Sequence, residues 1–221
     1  MHTTRRTTAL AIAGLLLLAG CAKGTSSTAS APSSPAAPSS PAPRSHSPKP
    51  PETPSPIPVE SPVPTESSPP GDIPDNTQFV PYRTKGGFKI SVPEGWARTT
   101  TKTSATFTDK LNTIVASWEP ASKAPTVSSA TSTEVPQLQM TERAFTLGDV
   151  TQTTLPAGRA VLISFQENSS PNNVTGKQYR LDVLRYELFR SGTEAVITLL
   201  SPVGADNVDP WRTVTESFAW S

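Results

Sequence analysis

One ten-residue stretch determines how the rest of the chain is interpreted; it reads Gly87-Phe88-Lys89-Ile90-Ser91-Val92-Pro93-Glu94-Gly95-Trp96. Apolar and polar residues alternate from Phe88 to Val92, which is the two-residue period of a half-buried β-strand. Pro93 and Gly95 are turn residues, so we expect the strand to end there. Trp96 follows directly and is predicted to pack over the end of the strand.

Three predicted hairpins follow this strand, within 104–118, 143–167 and 178–201. Their turns are Asp109-Lys110, Pro156-Ala157-Gly158-Arg159 and Ser191-Gly192-Thr193. In the last hairpin the apolar residues occupy both alternation sets, with Leu181 and Val183 on one side and Leu184, Tyr186 and Leu188 on the other. A sheet that is apolar on both faces must be covered on both faces.

Two helices are predicted, and the second of them should supply part of that cover. Residues 126–140 favour a helix that Pro136 would end or kink. A closing helix is predicted with Asp209 as its N-cap and Pro210 as its first residue. The same assignment explains the neighbouring pair Asp206 and Asp209 as a helix start rather than a cation site. Trp211, Val214 and Phe218 recur at helical spacing and form one apolar stripe.

Residues 1–20 have the features of a secretory signal: Arg5 and Arg6 precede an apolar run from Ala9 to Leu18, which is too short to span a bilayer. Leu18-Ala19-Gly20-Cys21 resembles the bacterial lipobox, and the resemblance implies that Cys21 is lipidated and becomes the first residue of the mature chain. We therefore expect a lipid-anchored protein on the extracytoplasmic side of the cell membrane. The Arg pair leaves a twin-arginine export route open.

Residues 21–76 are interpreted as the lipidated Cys21 followed by a disordered linker, because 16 of the 25 prolines fall between 22 and 76 among Ser, Thr and Ala. Such a composition favours an extended spacer, and its hydroxyl groups permit O-glycosylation as an alternative role. A single globular domain is then predicted over 77–221, where the remaining nine prolines are dispersed.

The composition excludes several kinds of chemistry. The net charge is +1 without a basic cluster, so no nucleic-acid partner is expected. The single Cys lies in the lipobox, and both histidines, His2 and His46, precede the predicted domain. The domain therefore lacks the imidazole of a Ser-His-Asp or Cys-His triad and the Cys and His ligands of a zinc site. We expect no metal and no cofactor.

The stretch 87–96, taken together with residues 211–218, resembles the pattern of PsbP-like domains. In that pattern the first strand reads Gly-Phe-x-Ile-x-x-Pro-x-Gly-Trp and a closing helix ends near Ser-Phe. Actinobacterial lipoproteins of the LpqN and LpqT type are similar in layout, with a lipobox, a Ser/Pro-rich linker and this domain. The resemblance implies an α+β fold, an antiparallel sheet between helices in an α/β/α sandwich. It also implies a binding or assembly role rather than catalysis.

The leading hypothesis is accordingly a non-enzymatic, membrane-tethered binding or assembly module. Its partners are the membrane, through lipidated Cys21, and an unidentified envelope protein, lipid or glycan. The alternative is an envelope hydrolase that uses carboxylates alone, for example Asp182 with Glu187. These two lie five residues apart on one strand, which places them on opposite faces. A third possibility is a purely structural domain that buttresses or senses the wall.

Two further groups of residues have a functional and a structural interpretation. The arginines at 180, 185 and 190 suit an anionic ligand, but also suit ion pairs with neighbouring strands. Trp96, Trp118, Trp211 and Trp220 suit a ligand groove, but for the first three their positions favour core packing.

Overall fold

The computed structural model describes residues 60–67 and 71–221. Within them the chain forms ten strands: β1 (Phe79–Arg83), β2 (Phe88–Pro93), β3 (Ala97–Thr100), β4 (Ser104–Asp109), β5 (Asn112–Pro120), β6 (Thr146–Leu155), β7 (Gly158–Asn168), β8 (Arg180–Arg190), β9 (Thr193–Pro202) and β10 (Ala219–Trp220). The helical segments are α1 (Val127–Ser129), a π-helix (Ala130–Glu134), α2 (Val135–Thr141) and α3 (Val208–Glu216). The predicted signal peptide, Cys21 and most of the predicted linker lie outside the described residues.

Seven strands form one antiparallel sheet in the order β3-β4-β5-β9-β8-β7-β6. The three hairpins predicted from the sequence are confirmed as β4–β5, β6–β7 and β8–β9. The last one turns through Ser191 and Gly192, whose φ angles are 50° and 84°. Positive φ at both central residues is what a tight type I′ turn needs, because its twist matches that of the paired strands.

The position of the strand Phe88–Pro93 differs from the prediction of a single sheet between helices. It is the centre of a separate three-stranded sheet, β1-β2-β10, in which both neighbours run antiparallel to it. The α/β/α expectation is therefore met in part: the fold is antiparallel and mixed, but one layer contains a sheet as well as a helix. The alternating pattern of β2 identified a strand without identifying its partners.

We call the side of the seven-stranded sheet that carries Leu188 and Ile197 the aromatic face, because β2, α3 and the end of the chain pack there around rings. Phe88 stacks on Phe218 with ring centroids 4.9 Å apart. Trp118 and Trp220 meet Phe88 edge-on at 6.1 and 6.0 Å. Such edge-to-face pairs stabilise beyond simple burial of area.

The opposite side, which carries Val183 and Ile163, is the helix face, because α1, the π-helix and α2 cover it. Its buried cluster contains Ala130, Val135 and Leu138 from the helical layer. They pack on Val161, Ile163, Phe165 and Val183 of β7 and β8. The prediction that the sheet is covered on both faces is thus confirmed within the described residues.

The helix predicted over 126–140 is present, but Pro136 does not end it. Pro136 is the second residue of α2, which follows the π-helix directly, and the Val135 N–H before it bonds to the Ala130 carbonyl. A proline ring normally clashes with the carbonyl four residues earlier. The wider π turn lies just where that clash would occur, and the helical path continues through it.

The closing helix begins earlier than predicted. Its N-cap is Asn207, so Asp209 and Pro210 lie inside the first turn and the assignment of Asp209 as N-cap was wrong. The Asn207 side chain makes no capping bond; it accepts the Ile73 N–H at 2.8 Å and donates to the Gly71 carbonyl at 2.9 Å. This start is fixed by a distant segment, which local sequence cannot reveal. α3 ends at Glu216, and Phe218 is buried beyond its last turn.

The domain also begins before the predicted boundary at Thr77. Ile73 is 4% exposed and belongs to the aromatic-face core. The Gly71 carbonyl accepts a 2.7 Å bond from the side-chain amide of Asn112, which is itself buried. Residues 71–76, assigned to the linker from their composition, therefore include part of the folded core.

Residues 60–67, which we call the docked segment, also contact the domain. The buried Asn168 side chain accepts the Val63 N–H at 3.1 Å and donates to the Ser61 carbonyl at 2.9 Å. Glu60 pairs with Arg143, and Glu66 pairs with Lys177. The amide of Asn168 thus engages the backbone of the segment, and two ion pairs hold its ends.

Candidate ligand-binding groove

A groove of about 750 Å³ lies on the aromatic face, beside α3. The small sheet and α3 do not cover the β6–β7–β8 end of this face, and the groove occupies the uncovered part. Its floor includes Ser164, Gln166, Asp182, Leu184 and Tyr186, and its α3 wall includes Val208, Trp211 and Thr215. The floor residues of each strand lie together because side chains two residues apart on a strand point to the same face.

The middle of the groove is apolar. Leu184 and Tyr186 on β8 and Leu155 on β6 are half-buried, and Trp211 closes the α3 side with 6% of its surface exposed. Burial raises the pKa of the Tyr186 hydroxyl, so this group stays protonated at neutral pH and can donate a hydrogen bond. A ligand with an apolar body would cover side chains that are now partly in water.

One end of the groove is polar and its side chains are already oriented. Asp182 accepts a 2.8 Å bond from the Gln166 amide, whose oxygen accepts from the Arg180 Nε at 3.4 Å. Arg180 is 5% exposed and also donates to the Ala144 carbonyl at 2.7 Å and to the Thr146 hydroxyl at 2.6 Å. Burial lowers the pKa of Arg180, while Asp182 and Glu167 act in the opposite direction. The Arg180 network therefore fixes the polar end before any ligand arrives.

Two exposed apolar residues stand at the rim of the groove. Leu147 on β6 is 39% exposed and Val208 at the start of α3 is 70% exposed. Gly148 follows Leu147 in a stretch where the β6–β7 register is irregular. A Cβ at Gly148 would lie 2.8 Å from the Ser164 hydroxyl, so the close approach of β6 to the groove floor requires glycine.

The structure separates the carboxylates considered for hydrolysis. Asp182 lies in the groove, whereas Glu187 has the opposite parity on β8 and is fully buried on the helix face. The separation deduced from the odd spacing is therefore confirmed. Glu187 instead accepts a 2.9 Å bond from the Arg185 Nε.

Another pair of carboxyl groups, Glu142 and Glu167, does interact, although no sequence pattern connects the two residues. Burial, followed by the charge and hydrogen bond of Glu142, raises the pKa of Glu167 to about 8, and Arg180 opposes the shift. Glu142 follows α2 and Glu167 lies on β7, 25 residues later. Neither residue lines the groove. Among the described residues no group of three His, Cys, Asp or Glu is placed to hold a metal ion.

The three arginines of β8 have different surroundings. Arg180 supports the groove, Arg185 bridges Glu187 and Glu134 on the helix face, and Arg190 is exposed. The expectation of surface ion pairs with neighbouring strands is not met for Arg185, whose partners are on its own strand and on the π-helix. Sequence alone does not show which arginine is buried.

The four tryptophans all pack in or against the aromatic-face core. Trp96 meets Trp211 edge-on at 6.4 Å, and of the four it is Trp211 that lines the groove. Core packing is thus confirmed for Trp96, Trp118 and Trp211. Asp206 and Asp209 flank the start of α3; Asp206 N–H donates to Asp72 at 2.9 Å and Asp209 pairs with Arg212. They do not converge on one point.

Cys21 lies outside the described residues, so its lipidation remains a prediction. In the part of the chain that the structure does describe, no helix has the length and hydrophobicity needed to cross a bilayer. The groove residues Gln166, Thr215 and Leu155 were not anticipated. The sequence feature related to the groove was the apolar character of both faces of β8. It indicated that the aromatic-face side of this strand had to be covered.

No protein-family model matches the sequence, and no curated protein matches it. Among solved structures, the chain is similar to cyanobacterial PsbP (CyanoP) from Synechocystis sp. PCC 6803, at 15% identity and a TM-score of 0.49, over 70% of this chain and 100% of that one. It is similar to the Ran-binding protein Mog1p of Saccharomyces cerevisiae at 10% identity and a TM-score of 0.45, over 66% of this chain and 96% of that one. A structure from Bacteroides thetaiotaomicron VPI-5482 is similar at 10% identity and a TM-score of 0.43, over 64% of this chain and 48% of that one, so this chain spans about half its length. These likenesses concern the fold alone.

Proposed function

We propose that this protein is a lipid-anchored, extracytoplasmic binding module whose groove takes an amphipathic ligand without transforming it. The lipobox Leu18-Ala19-Gly20-Cys21 supports the anchor, and the Pro/Ser-rich stretch after it supports a spacer between membrane and domain. The groove beside α3 supports the binding role. These are independent parts of the proposal, and each has its own test.

The observation that carries the binding role is the shape and lining of the groove. Its volume of about 750 Å³ is within the range of ~300–1,000 Å³ typical of small-molecule sites. Leu155, Leu184 and Trp211 offer an apolar surface, whereas Gln166 and Asp182 offer hydrogen-bonding groups at one end. A ligand with an apolar body and a hydrogen-bonding head matches both parts.

The carboxylates of the groove favour binding over hydrolysis, because they are not arranged as a catalytic pair. Asp182 is bonded to Gln166, and the second carboxylate of the lining, Glu216, is exposed on α3. A glycosidase pair must flank the scissile bond at a defined separation, with one carboxyl group able to donate a proton. The two buried carboxyl groups with raised pKa values, those of Glu187 and Glu167, lie on the helix face instead.

The binding role is tested by charging the rim of the groove. Leu147→Arg and Val208→Arg place a cation where the apolar body would enter, and both sites are exposed, so folding should survive. Val80→Arg is the matched control, because Val80 is 38% exposed against 39% for Leu147 and lies on β1, outside the groove lining. The probe is a dodecyl-chain amphiphile below its micelle concentration, followed through tryptophan fluorescence.

We expect the two rim variants to weaken probe binding at least tenfold and Val80→Arg to change it less than twofold. Equal effects of all three would contradict the groove as the site. Probe consumption with release of a hydrolysed product would replace the binding role by an enzymatic one. The anchor is tested separately: Cys21→Ser should move the protein from the detergent phase to the aqueous phase, and unchanged partitioning would contradict lipidation.

A further inference from the structure

A second cavity, of about 390 Å³, lies on the helix face, on the other side of the sheet from the groove. Strands β6, β7 and β8 form one side of it and the loop before α1 closes the other. Its lining includes Gln152, Val161, Glu187 and Phe189 from the strands and Ala124 and Thr126 from the loop. Glu187 and Phe189 are two residues apart on β8, so both side chains point to this side.

The carboxylate of Glu187 is only half satisfied. The residue is 0% exposed, and its Oε1 accepts from the Arg185 Nε at 2.9 Å. Its Oε2 is buried and has no hydrogen-bond partner among the described residues. Buried carboxylate oxygens are almost always paired, because an unpaired one loses its hydration without compensation.

The charges around Glu187 are predominantly negative. Arg185 on the same strand is the cation in contact, while Glu134 on the π-helix, Glu119 on β5 and Glu194 on β9 face the same region. Burial raises the pKa of Glu187, Arg185 opposes the shift, and Glu134 and Glu119 add to it. Burial with Glu187 and Glu119 raises the pKa of Glu194 to about 7. A further cation bound here would be stabilised by the surplus of carboxylates.

We propose that this cavity binds a small organic ammonium ion, whose N–H donates to Glu187 Oε2 and whose hydrocarbon part packs against Phe189. A hard metal ion would need six or more oxygen ligands, and the cavity offers one free carboxylate oxygen. An ammonium group needs an acceptor and tolerates an apolar wall, and the face of an aromatic ring attracts it. Arg159 on the exposed side of the lining would meet an acidic group on a larger, zwitterionic ligand. This site is independent of the groove and of the proposed ligand there.

The test is a calorimetric titration of the full chain with n-propylammonium chloride, with sodium chloride as the ionic-strength control. We expect saturable binding that strengthens as pH rises from 6 to 8.5, because Glu194, whose pKa is about 7, becomes negatively charged over this range and adds to the attraction for the cation beside Glu187. Glu187→Gln should weaken binding at least tenfold. Asp149→Asn, at an exposed site on β6 outside the cavity lining, is the control and should change it less than twofold.

A second variant covers the case in which Glu187→Gln does not fold. Ala124→Leu fills the cavity from an exposed loop position and should also abolish binding. A parallel titration with Nα-acetyl-lysine amide presents the same ammonium group on a lysine side chain. Tighter binding of n-propylammonium would indicate a free amine as the ligand, and tighter binding of the lysine derivative would indicate the lysine side chain of a partner. Absence of saturable binding by the parent, or equal affinity in the parent and in Glu187→Gln or Ala124→Leu, would overturn the proposal and leave water as the occupant.

Discussion

The two faces of the seven-stranded sheet are covered in different ways. On the aromatic face a second sheet and α3 pack around Phe88 and Phe218, which are 0% and 2% exposed. On the helix face a thin helical layer contributes small and aliphatic side chains, and its cluster lies beside the buried Glu187. The aromatic face is stabilised mainly by rings, whereas the helix face combines mainly aliphatic packing and one ring pair, Phe145 with Phe165, with buried charge.

This difference indicates where stability and pH response should lie. Burying a large aromatic ring removes more apolar surface from water than burying an alanine or a valine. Buried carboxyl groups add little net stability, and their contribution changes with protonation. We therefore expect mutations on the aromatic face to cost most and changes of pH to act mainly through the helix face.

The largest effect is expected for Phe218→Ala. Phe218 stacks on Phe88 at 4.9 Å and joins the end of the chain to the small sheet, so its loss leaves a cavity between two layers. Truncation of a buried Phe typically costs about 3–5 kcal/mol. Urea unfolding of residues 60–221 measures the loss, and a midpoint within error of the parent would show that this face does not dominate stability.

The corresponding change on the helix face is Leu138→Ala, with an expected cost of about 2 kcal/mol. Leu138 is buried at 9% exposure but belongs to a layer one helix thick, which can relax around the lost volume. The same urea series compares both variants directly. A cost equal to or above that of Phe218→Ala would remove the distinction between the faces.

Protonation of Glu167 should make the stability of the fold depend on pH. Its pKa in the folded state is about 8, above the 4.5 of a free carboxyl group, so the folded protein holds more protons than the unfolded chain between these values. The free energy of unfolding should therefore fall as pH rises from 5 to 8, by at most about 1.4 kcal/mol per pH unit for each such group.

Glu167→Gln cannot ionise and should flatten this slope, and Asp149→Asn, at an exposed site on β6, serves as the control. Urea midpoints at pH 5, 6.5 and 8 decide the matter. Identical slopes in the parent and in Glu167→Gln would mean that the pair with Glu142 does not hold a proton in the folded state.

The smallest effect is expected at the end of the sheet where the docked segment lies. Glu60→Gln removes the pair with Arg143, and an ion pair that is partly exposed typically contributes less than about 1 kcal/mol. The global midpoint should hardly move, whereas proteolysis within 60–67 should become faster. A large loss of stability would mean that the segment is a structural part of the core.

Much of the fold could be predicted from the sequence. The three hairpins followed from alternation and turn residues, and apolar residues on both sides of β8 correctly required cover on both faces. The strand partners of Phe88–Pro93 could not be deduced, because alternation defines a strand but not its neighbours. The start of α3 was placed two residues late, since Asn207 is held by Gly71 and Ile73 rather than by local capping.

Less of the candidate site could be predicted. Trp211 was identified correctly as a core residue, but its second role as a groove wall depends on how much of the sheet α3 leaves uncovered. Gln166 and Arg180 are joined by tertiary hydrogen bonds that no spacing encodes. The linker boundary at Thr77 was wrong because composition describes a tendency, whereas Ile73 is buried in the aromatic-face core and its N–H bonds to Asn207, 134 positions away.

Binding of an amphipathic ligand in the groove beside α3 can be followed residue by residue in an NMR titration of labelled residues 60–221 with dodecylphosphocholine below its micelle concentration. We predict saturable shifts of the Leu155 and Leu184 methyl groups and of the Trp211 indole. The methyl groups of Val135 on the helix face and Ile90 in the small sheet should not change. Shifts confined to the helix face, or none at any concentration below micelle formation, would contradict the assignment of the groove as the binding site.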